Sequence, residues 1–285
     1  MVSVGILTHN RVEAVVRAIR SALADDDGDL EVVVVDSASE DGTYQRLLHE
    51  FPTVRVVRLP RNLGCPGGRN HVYANCRGEI IVNLDDDGFL EQGWLPAVRS
   101  VFAEDERIGI VAFRQRFAGE DVWGRAMSKE REDVANFHGG VCAFRASMLR
   151  EVGLYPEDLV VLGEEAFLAI RALSSGYRIV SEPSIVMWHP RVGGTAERSN
   201  DYFRFRNYLL VVTRVFPGLL MWKYLLLRLG SYFLLAIRRG TVVPYIRAVW
   251  DVVSGLPRTL VRRAPADADA VRRYLVFRAR GEVCG

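Results

Sequence analysis

The sequence predicts an α/β protein, with a mostly parallel sheet flanked by helices and a helical extension at the C-terminal end. Three observations carry that expectation. Short apolar runs rich in β-branched residues recur through the first part of the chain, segments of helical periodicity separate them, and beyond about residue 200 the pattern turns helical, apolar and basic.

The runs at 2–7, 31–35, 54–59 and 79–84 are bounded by polar or glycine-containing segments and read as buried strands. Between the first two, residues 11–24 carry Val12, Val15, Val16, Ile19 and Leu23 at near-helical spacing. A second helix is expected over 41–50, with Ser39 as its cap. After residue 105 the pattern mixes strands at 108–113, 139–144, 178–181 and 184–188 with helices near 94–103, 146–152 and 165–175. The boundary to the helical extension falls at 195–205, dividing the chain into 1–200 and 201–285.

At 285 residues, 49% apolar and 25% charged, the composition is that of a folded globular chain, not a disordered one. The net charge of +2 hides a split: residues 202–285 hold 15 basic against 4 acidic residues, a net +11, which leaves −9 for residues 1–201. An acidic first part suits a divalent cation. A basic, apolar tail suits an anionic surface such as phospholipid headgroups. Arg214, Lys223 and Arg228 break the apolar runs of that tail, so an interfacial helical pair is expected over a membrane span, the alternative being helices that pack on the first part. Cys65, Cys76, Cys142 and Cys284 show neither CxxC nor metal-finger spacing, and no signal-peptide pattern opens the chain. A cytoplasmic location is expected, at most peripheral at the inner face of the plasma membrane, with no nucleic-acid partner.

In open α/β sheets ligands bind beyond the carboxyl ends of the strands. Here those ends read Thr8-His9-Asn10-Arg11, Asp36-Ser37, Arg61-Asn62 and Asp85-Asp86-Asp87, a mixture that suits a base, a ribose, a diphosphate and a metal ion. The three adjacent carboxylates would repel one another without a neighbouring cation, and Mg²⁺ or Mn²⁺ takes oxygen ligands of this kind. A solvated acidic turn is the alternative. Extended alternation puts Asp85 and Asp87 on one side and Asp86 on the other. Gly64, Gly67 and Gly68 allow a backbone to approach a ligand closely, and Gly139-Gly140 opens a strand candidate in the same way. Glu164 and Glu165 open a helical segment, either as general-base candidates or as carboxylates that offset the helix dipole. Arg171 lies about two turns further on, and His189 ends the last strand candidate.

The segments Thr8-His9-Asn10-Arg11, Val35-Asp36-Ser37-Ala38-Ser39-Glu40-Asp41-Gly42-Thr43, Arg61 to Asn70 and Leu84-Asp85-Asp86-Asp87 occur in the order and spacing of glycosyltransferase family 2. The chain resembles the bacterial, rhamnosyltransferase-like and cell-envelope members of that family over residues 2–215. The resemblance implies the GT-A fold, with a donor-binding half at about 1–105 and an acceptor half at about 106–200. It implies that Thr8, Asn10 and Arg11 line the nucleotide pocket, that Asp36 hydrogen-bonds the base or ribose, and that Asn62, Gly64, Arg69, Asp85 and Asp86 lie at the donor. Asp85 and Asp87 then form the DxD motif, and His189 completes the Mn²⁺ or Mg²⁺ site. Gly139, Gly140 and Arg171 fall near the sugar or acceptor.

Glu164-Glu165 stands where the family usually has Glu-Asp, and Phe167 stands where a further Asp usually follows. Glu165 is the favoured base, with Glu164 as its partner. The implied reaction moves a sugar from a UDP-, dTDP- or GDP-sugar to a hydroxyl with inversion. The acceptor implied by the basic, apolar tail is a lipid-linked or cell-envelope glycan, with a small natural product as the alternative. Two rival readings are nucleotidyl transfer and a non-catalytic nucleotide-sugar-binding protein.

Overall fold

The computed structural model describes residues 1–117, 130–189, 200–261 and 263–279. Its first half is β1 (Val2–Thr8), α1 (Val12–Leu23), β2 (Leu30–Asp36), α2 (Thr43–Glu50), β3 (Arg55–Arg58), α3 (Gly64–Asn75) and β4 (Ile80–Asp85). The strands lie in the order β3-β2-β1-β4 and are all parallel, each joined to the next by a helical crossover. The unbroken run Val32–Val35 is a consequence of burial on both faces. Val32 and Val34 pack with Val15, Ile19 and Leu47 on one side, while Val35 packs with Val72 and Tyr73 on the other.

The second half is β5 (Phe89–Leu90), α4 (Trp94–Glu104), β6 (Ile108–Phe117), β7 (Glu132–Val134), β8 (Val141–Arg145), α5 (Ala146–Val152), a 3-10 turn at Glu157–Leu159, α6 (Glu164–Ser174) and β9 (Arg178–His189). The sheet continues β4-β8-β6-β9-β5, with β7 on β9, to nine strands. The parallel order of the first half is joined here by antiparallel pairs. β8 is antiparallel to both β4 and β6, and β9 is antiparallel to β5 and β7 but parallel to β6, so the sheet as a whole is mixed. β5 and β7, of two and three residues, are too short to leave a periodic signal. The strand candidates at 178–181 and 184–188 are one strand. Around Pro183 the register against β6 jumps from Phe113–Glu182 to Arg114–Val186, a bulge that absorbs the proline.

From Asp201 onward the described chain is helical: α7 (Asp201–Val215), α8 (Gly218–Arg239), α9 (Val242–Val261) and α10 (Ala268–Ala279). α7 packs on α6, α8 and α9, and α10 returns to α6. A third apolar cluster forms there from Phe205, Leu209, Val212, Phe216, Ala236 and Val271. By length and composition α8 is apolar enough to cross a membrane even with Lys223 and Arg228 in it. It buries Met221, Tyr232 and Ala236 while leaving Leu219, Leu226 and Leu234 exposed. Cys65, Cys76 and Cys142 are free thiols, and Cys284 lies outside the described residues.

Candidate active site

Asp85 is the last residue of β4, and the turn Asp86-Asp87-Gly88 leads directly into β5. β5 pairs with β9, Phe89 opposite Trp188 and Leu90 opposite Met187. That pairing carries the turn against the end of β9, where His189 Nε2 lies 2.9 Å from Asp87 Oδ1 and 3.8 Å from Asp85 Oδ2. Gly88 makes the approach possible, because a Cβ there would come within 2.5 Å of Met187 Sδ. One ligand atom from each of Asp85, Asp87 and His189 lies within 4.8 Å of the others. Two carboxylates and one imidazole form a donor set that fits Mn²⁺ or Mg²⁺.

The third carboxylate turns away, as extended alternation predicts. Asp86 accepts the Thr8 hydroxyl at 2.9 Å and Arg11 Nη1 at 3.1 Å. Burial pushes the Asp86 carboxyl up to about 6, against the pull of Arg11 and Thr8. Burial acts on Asp87 too, but the hydrogen bond and charge of His189, together with Arg11 at 2.6 Å, outweigh it and hold that carboxyl below its usual value.

Gly139 and Gly140, in the turn before β8, form a floor beside these acids. A Cβ on Gly140 would overlap the Asp85 carboxylate, and one on Gly139 would lie 2.5 Å from Arg69 Nη1 and 2.6 Å from Glu165 Oε1. Arg69, buried on α3, holds Asp85 Oδ1 at 2.7 Å, and Asn83 Nδ2 donates to the Gly139 carbonyl. Asp85, Arg69 and Glu165 therefore abut one strip of backbone, and only glycine lets that strip pass between them.

Glu164 and Glu165 begin α6 after Gly163, whose φ of 91° lies in the left-handed region. They point to different surroundings. Glu164 is 3% exposed and its Oε2 has no hydrogen-bond partner. Burial, reinforced by the neighbouring charge of Glu165, pushes Glu164 up to about 8, so it holds its proton at neutral pH. Glu165 instead lines a cavity together with His138, Arg204 and Tyr208. The loop before the two acids is strained, with Val160 and Leu162 at φ of 57° and 69°. α7 anchors it: Asn207 Nδ2 donates to the carbonyls of Leu159, Val161 and Leu162 at 2.5, 2.6 and 2.8 Å.

The remaining residues expected at the site divide into two groups. Thr8, Asn10, Arg11, Asp36, Asn62 and Gly64 stand at the carboxyl ends of β1, β2 and β3, on the same edge as Asp85. Several already serve their own loops. Asp36 is fully buried, accepting Ser39 N at 3.1 Å with Arg58 Nε at 3.6 Å; Asn10 accepts Glu40 N at 2.7 Å; Asn62 accepts Gly64 N at 2.9 Å. Arg171 lies further along α6. Its Nε donates to the Val152 carbonyl at 2.6 Å and its guanidinium lies over the Phe167 ring, so it ties α6 to the end of α5. Asn207 and the Arg and Tyr residues of the terminal helices are site neighbours without a sequence signal, because hydropathy and net charge hide polar groups on an inward helix face.

The sequence profile of glycosyl transferase family 2 matches residues 3–153, just over half of the chain. The succinoglycan biosynthesis protein ExoO of Rhizobium meliloti (strain 1021) is 41% identical over 83 residues, covering 29% of this chain and 24% of its own length, so the chain spans about a quarter of that relative. Among solved structures, GalNAc-T7 with UDP, GalNAc and Mn²⁺ superposes with a TM-score of 0.67 at 18% identity, over 79% of this chain and 49% of the other. S. aureus TarS 1-349 in complex with UDP-GlcNAc gives 0.66 at 19% identity, over 92% and 83%. At such identities the likeness concerns the fold, which is that of the GT-A glycosyltransferases. With the profile covering the strands that build the acidic rim, and the GT-A fold around them, the chain belongs to glycosyl transferase family 2.

Proposed function

We propose that this protein transfers a glycosyl group from a UDP-, dTDP- or GDP-sugar to an acceptor hydroxyl, with inversion at the anomeric carbon. One observation carries the reading: Asp85, Arg69 and Glu165 meet at Gly139-Gly140, with Asp87 and His189 beside Asp85. Asp85, Asp87 and His189 would hold Mn²⁺ or Mg²⁺, which when bound offsets the charge of the departing diphosphate. Arg69 fixes Asp85, and Thr8 and Arg11 fix the acidic turn. Thr8, Asn10, Arg11, Asp36, Asn62 and Gly64 are assigned to the nucleotide side. Glu165 accepts the proton of the attacking hydroxyl while the new bond to the anomeric carbon forms and the bond to the diphosphate breaks. Glu164, neutral at pH 7, adds no second negative charge next to that base.

With Mn²⁺ and a panel of UDP-, dTDP- and GDP-sugars, UDP-GlcNAc first, the protein should release free nucleoside diphosphate in the presence of an acceptor and slowly by hydrolysis without one. Pyrophosphate as the product would mean nucleotidyl transfer. Donor binding without any turnover would leave a binding protein.

A lipid-linked or cell-envelope acceptor at the inner face of the plasma membrane is the favoured setting. Leu219, Leu226, Trp250 and Val261 are 87, 68, 70 and 87% exposed on α8 and α9, in a region of net charge +11. Removing two such side chains from a lipid interface forfeits about 1.5 kcal/mol or more each. Co-sedimentation of a Leu226→Glu, Trp250→Glu variant with anionic liposomes should therefore fall at least tenfold. Unchanged sedimentation removes the membrane from the scheme.

A further inference from the structure

The cavity beside Glu165 holds an unusual concentration of unsatisfied polarity. Its volume is about 170 Å³, the room of five or six waters at about 30 Å³ each and the scale of one sugar ring. Asn136, His138, Arg204 and Tyr208, four of the residues that line it, each carry a buried polar atom with no hydrogen-bond partner among the described residues: Oδ1, Nδ1, Nε and OH respectively. Asn136 and Tyr208 are 7% and 6% exposed, so bulk water does not satisfy them at the surface. A buried polar atom left unmatched costs about 1–3 kcal/mol, and several around one cavity indicate a missing ligand. The set asks for a particular chemistry. One atom only accepts, one only donates, and a hydroxyl and an imidazole nitrogen can do either, so the complement is a compound rich in hydroxyls. Tyr208, Tyr232 and Tyr274 add ring faces of the kind that suit a sugar's C–H surface.

Charge narrows the ligand further. Arg204 from α7 and Arg278 from α10 line the cavity, and among the described residues Glu165 is the one carboxylate on its walls. The Arg278 guanidinium lies 4.1 Å from the centre of the Tyr208 ring, with Arg228 at 5.0 Å from the same centre. Asp201 is engaged through Oδ2 by Arg239 at 2.8 Å and Thr241 at 3.0 Å, and its Oδ1 pairs with Arg204 Nε at a longer 3.7 Å. A carboxylate beside the proposed base would be repelled by it, whereas the arginines supplied by α7 and α10 would attract one.

We propose that helices α7 and α10 complete an acceptor subsite for an anionic saccharide, in which Asn136, His138 and Tyr208 bind hydroxyls and Arg204 and Arg278 bind a carboxylate or phosphate on the sugar. This deepens the glycosyl-transfer reading and rests on it for the word acceptor; saccharide binding in the cavity does not depend on that reading. Phosphate-bearing and carboxylate-bearing sugars share the same recognition, and the experiment separates them.

Ligand-observed NMR titration of the full chain with methyl β-glucoside, methyl β-glucuronide and glucose 1-phosphate tests the idea, with UDP plus Mn²⁺ titrated in parallel. An anionic sugar should bind at least tenfold more tightly than the neutral glucoside. Arg278→Gln and Arg204→Gln should each bring that preference below threefold and keep UDP affinity within twofold, while Arg278→Lys retains the preference. A stronger response to the glucuronide identifies a carboxylated ligand, and a stronger response to the sugar phosphate a phosphorylated one; both support the subsite. Equal binding of all three sugars to the wild-type protein, or no binding, overturns the proposal whatever the variants do. If UDP does not bind but an anionic sugar still binds in an Arg278-dependent way, the donor reading fails and the subsite stands.

Discussion

Replacing Asp87 with alanine is expected to lower kcat/KM by about a thousandfold and to abolish tight Mn²⁺ binding. Asp87 is the centre of the acidic turn, facing His189 at 2.9 Å and Arg11 at 2.6 Å. Its removal subtracts a cation ligand and leaves Arg11 with the buried Asp86 as its sole carboxylate partner among the described residues. Lewis-acid stabilisation of a leaving diphosphate is worth several kcal/mol, and about 1.4 kcal/mol corresponds to tenfold in rate. Mn²⁺ binding followed by electron paramagnetic resonance and turnover with the preferred donor check the two halves of this expectation. Retention of both by Asp87→Ala would remove the metal site from the mechanism.

The Glu165→Gln variant should lose about 10²- to 10⁴-fold in transfer, the usual contribution of a general base, with little change in donor affinity. Its neighbour provides the contrast. Because Glu164 is held neutral, Glu164→Gln imitates its resting state and should keep transfer at pH 7 within a few-fold of wild type. The same substitution should alter the pH dependence of stability. A carboxyl with its folded-state pKa raised to about 8 from 4.5 contributes fully below about 4.5, and that stability is lost as pH rises toward and through 8. Wild-type Tm should therefore decline from pH 5 to 8.5 more steeply than that of Glu164→Gln. Equal transfer rates for the two variants would mean that the base is neither acid.

Much of the polar rim was legible because it is local in sequence. Each polar cluster directly follows an apolar run, so reading the strands also reads the rim: Thr8 ends β1, Asp36 ends β2 and Asp85 ends β4. Alternation alone separates Asp86 from Asp85 and Asp87, since the side chains of extended residues point to opposite sides. Arg171 shows the limit of the same logic. Its spacing along α6 is compatible with service to the acids, but a side chain that long has several acceptors within reach, and its Nε donates to the Val152 carbonyl.

The sequence by itself determined the alternation of strand and helix, the acidic and glycine segments of the site, and a C-terminal region that is both apolar and basic, because these depend on periodicity and residue type over a few neighbours. Only the tertiary structure decided which distant segments meet. Pairing of β5 with β9 brings His189 to Asp87, and the glycine floor brings Glu165 within reach of Arg69 and Asp85. Burial raises the carboxyl of Glu164, and α7 and α10 fold back to wall the cavity beside Glu165. Strand order, desolvation and helix return are properties of packing between residues far apart in the chain, and no local pattern specifies them.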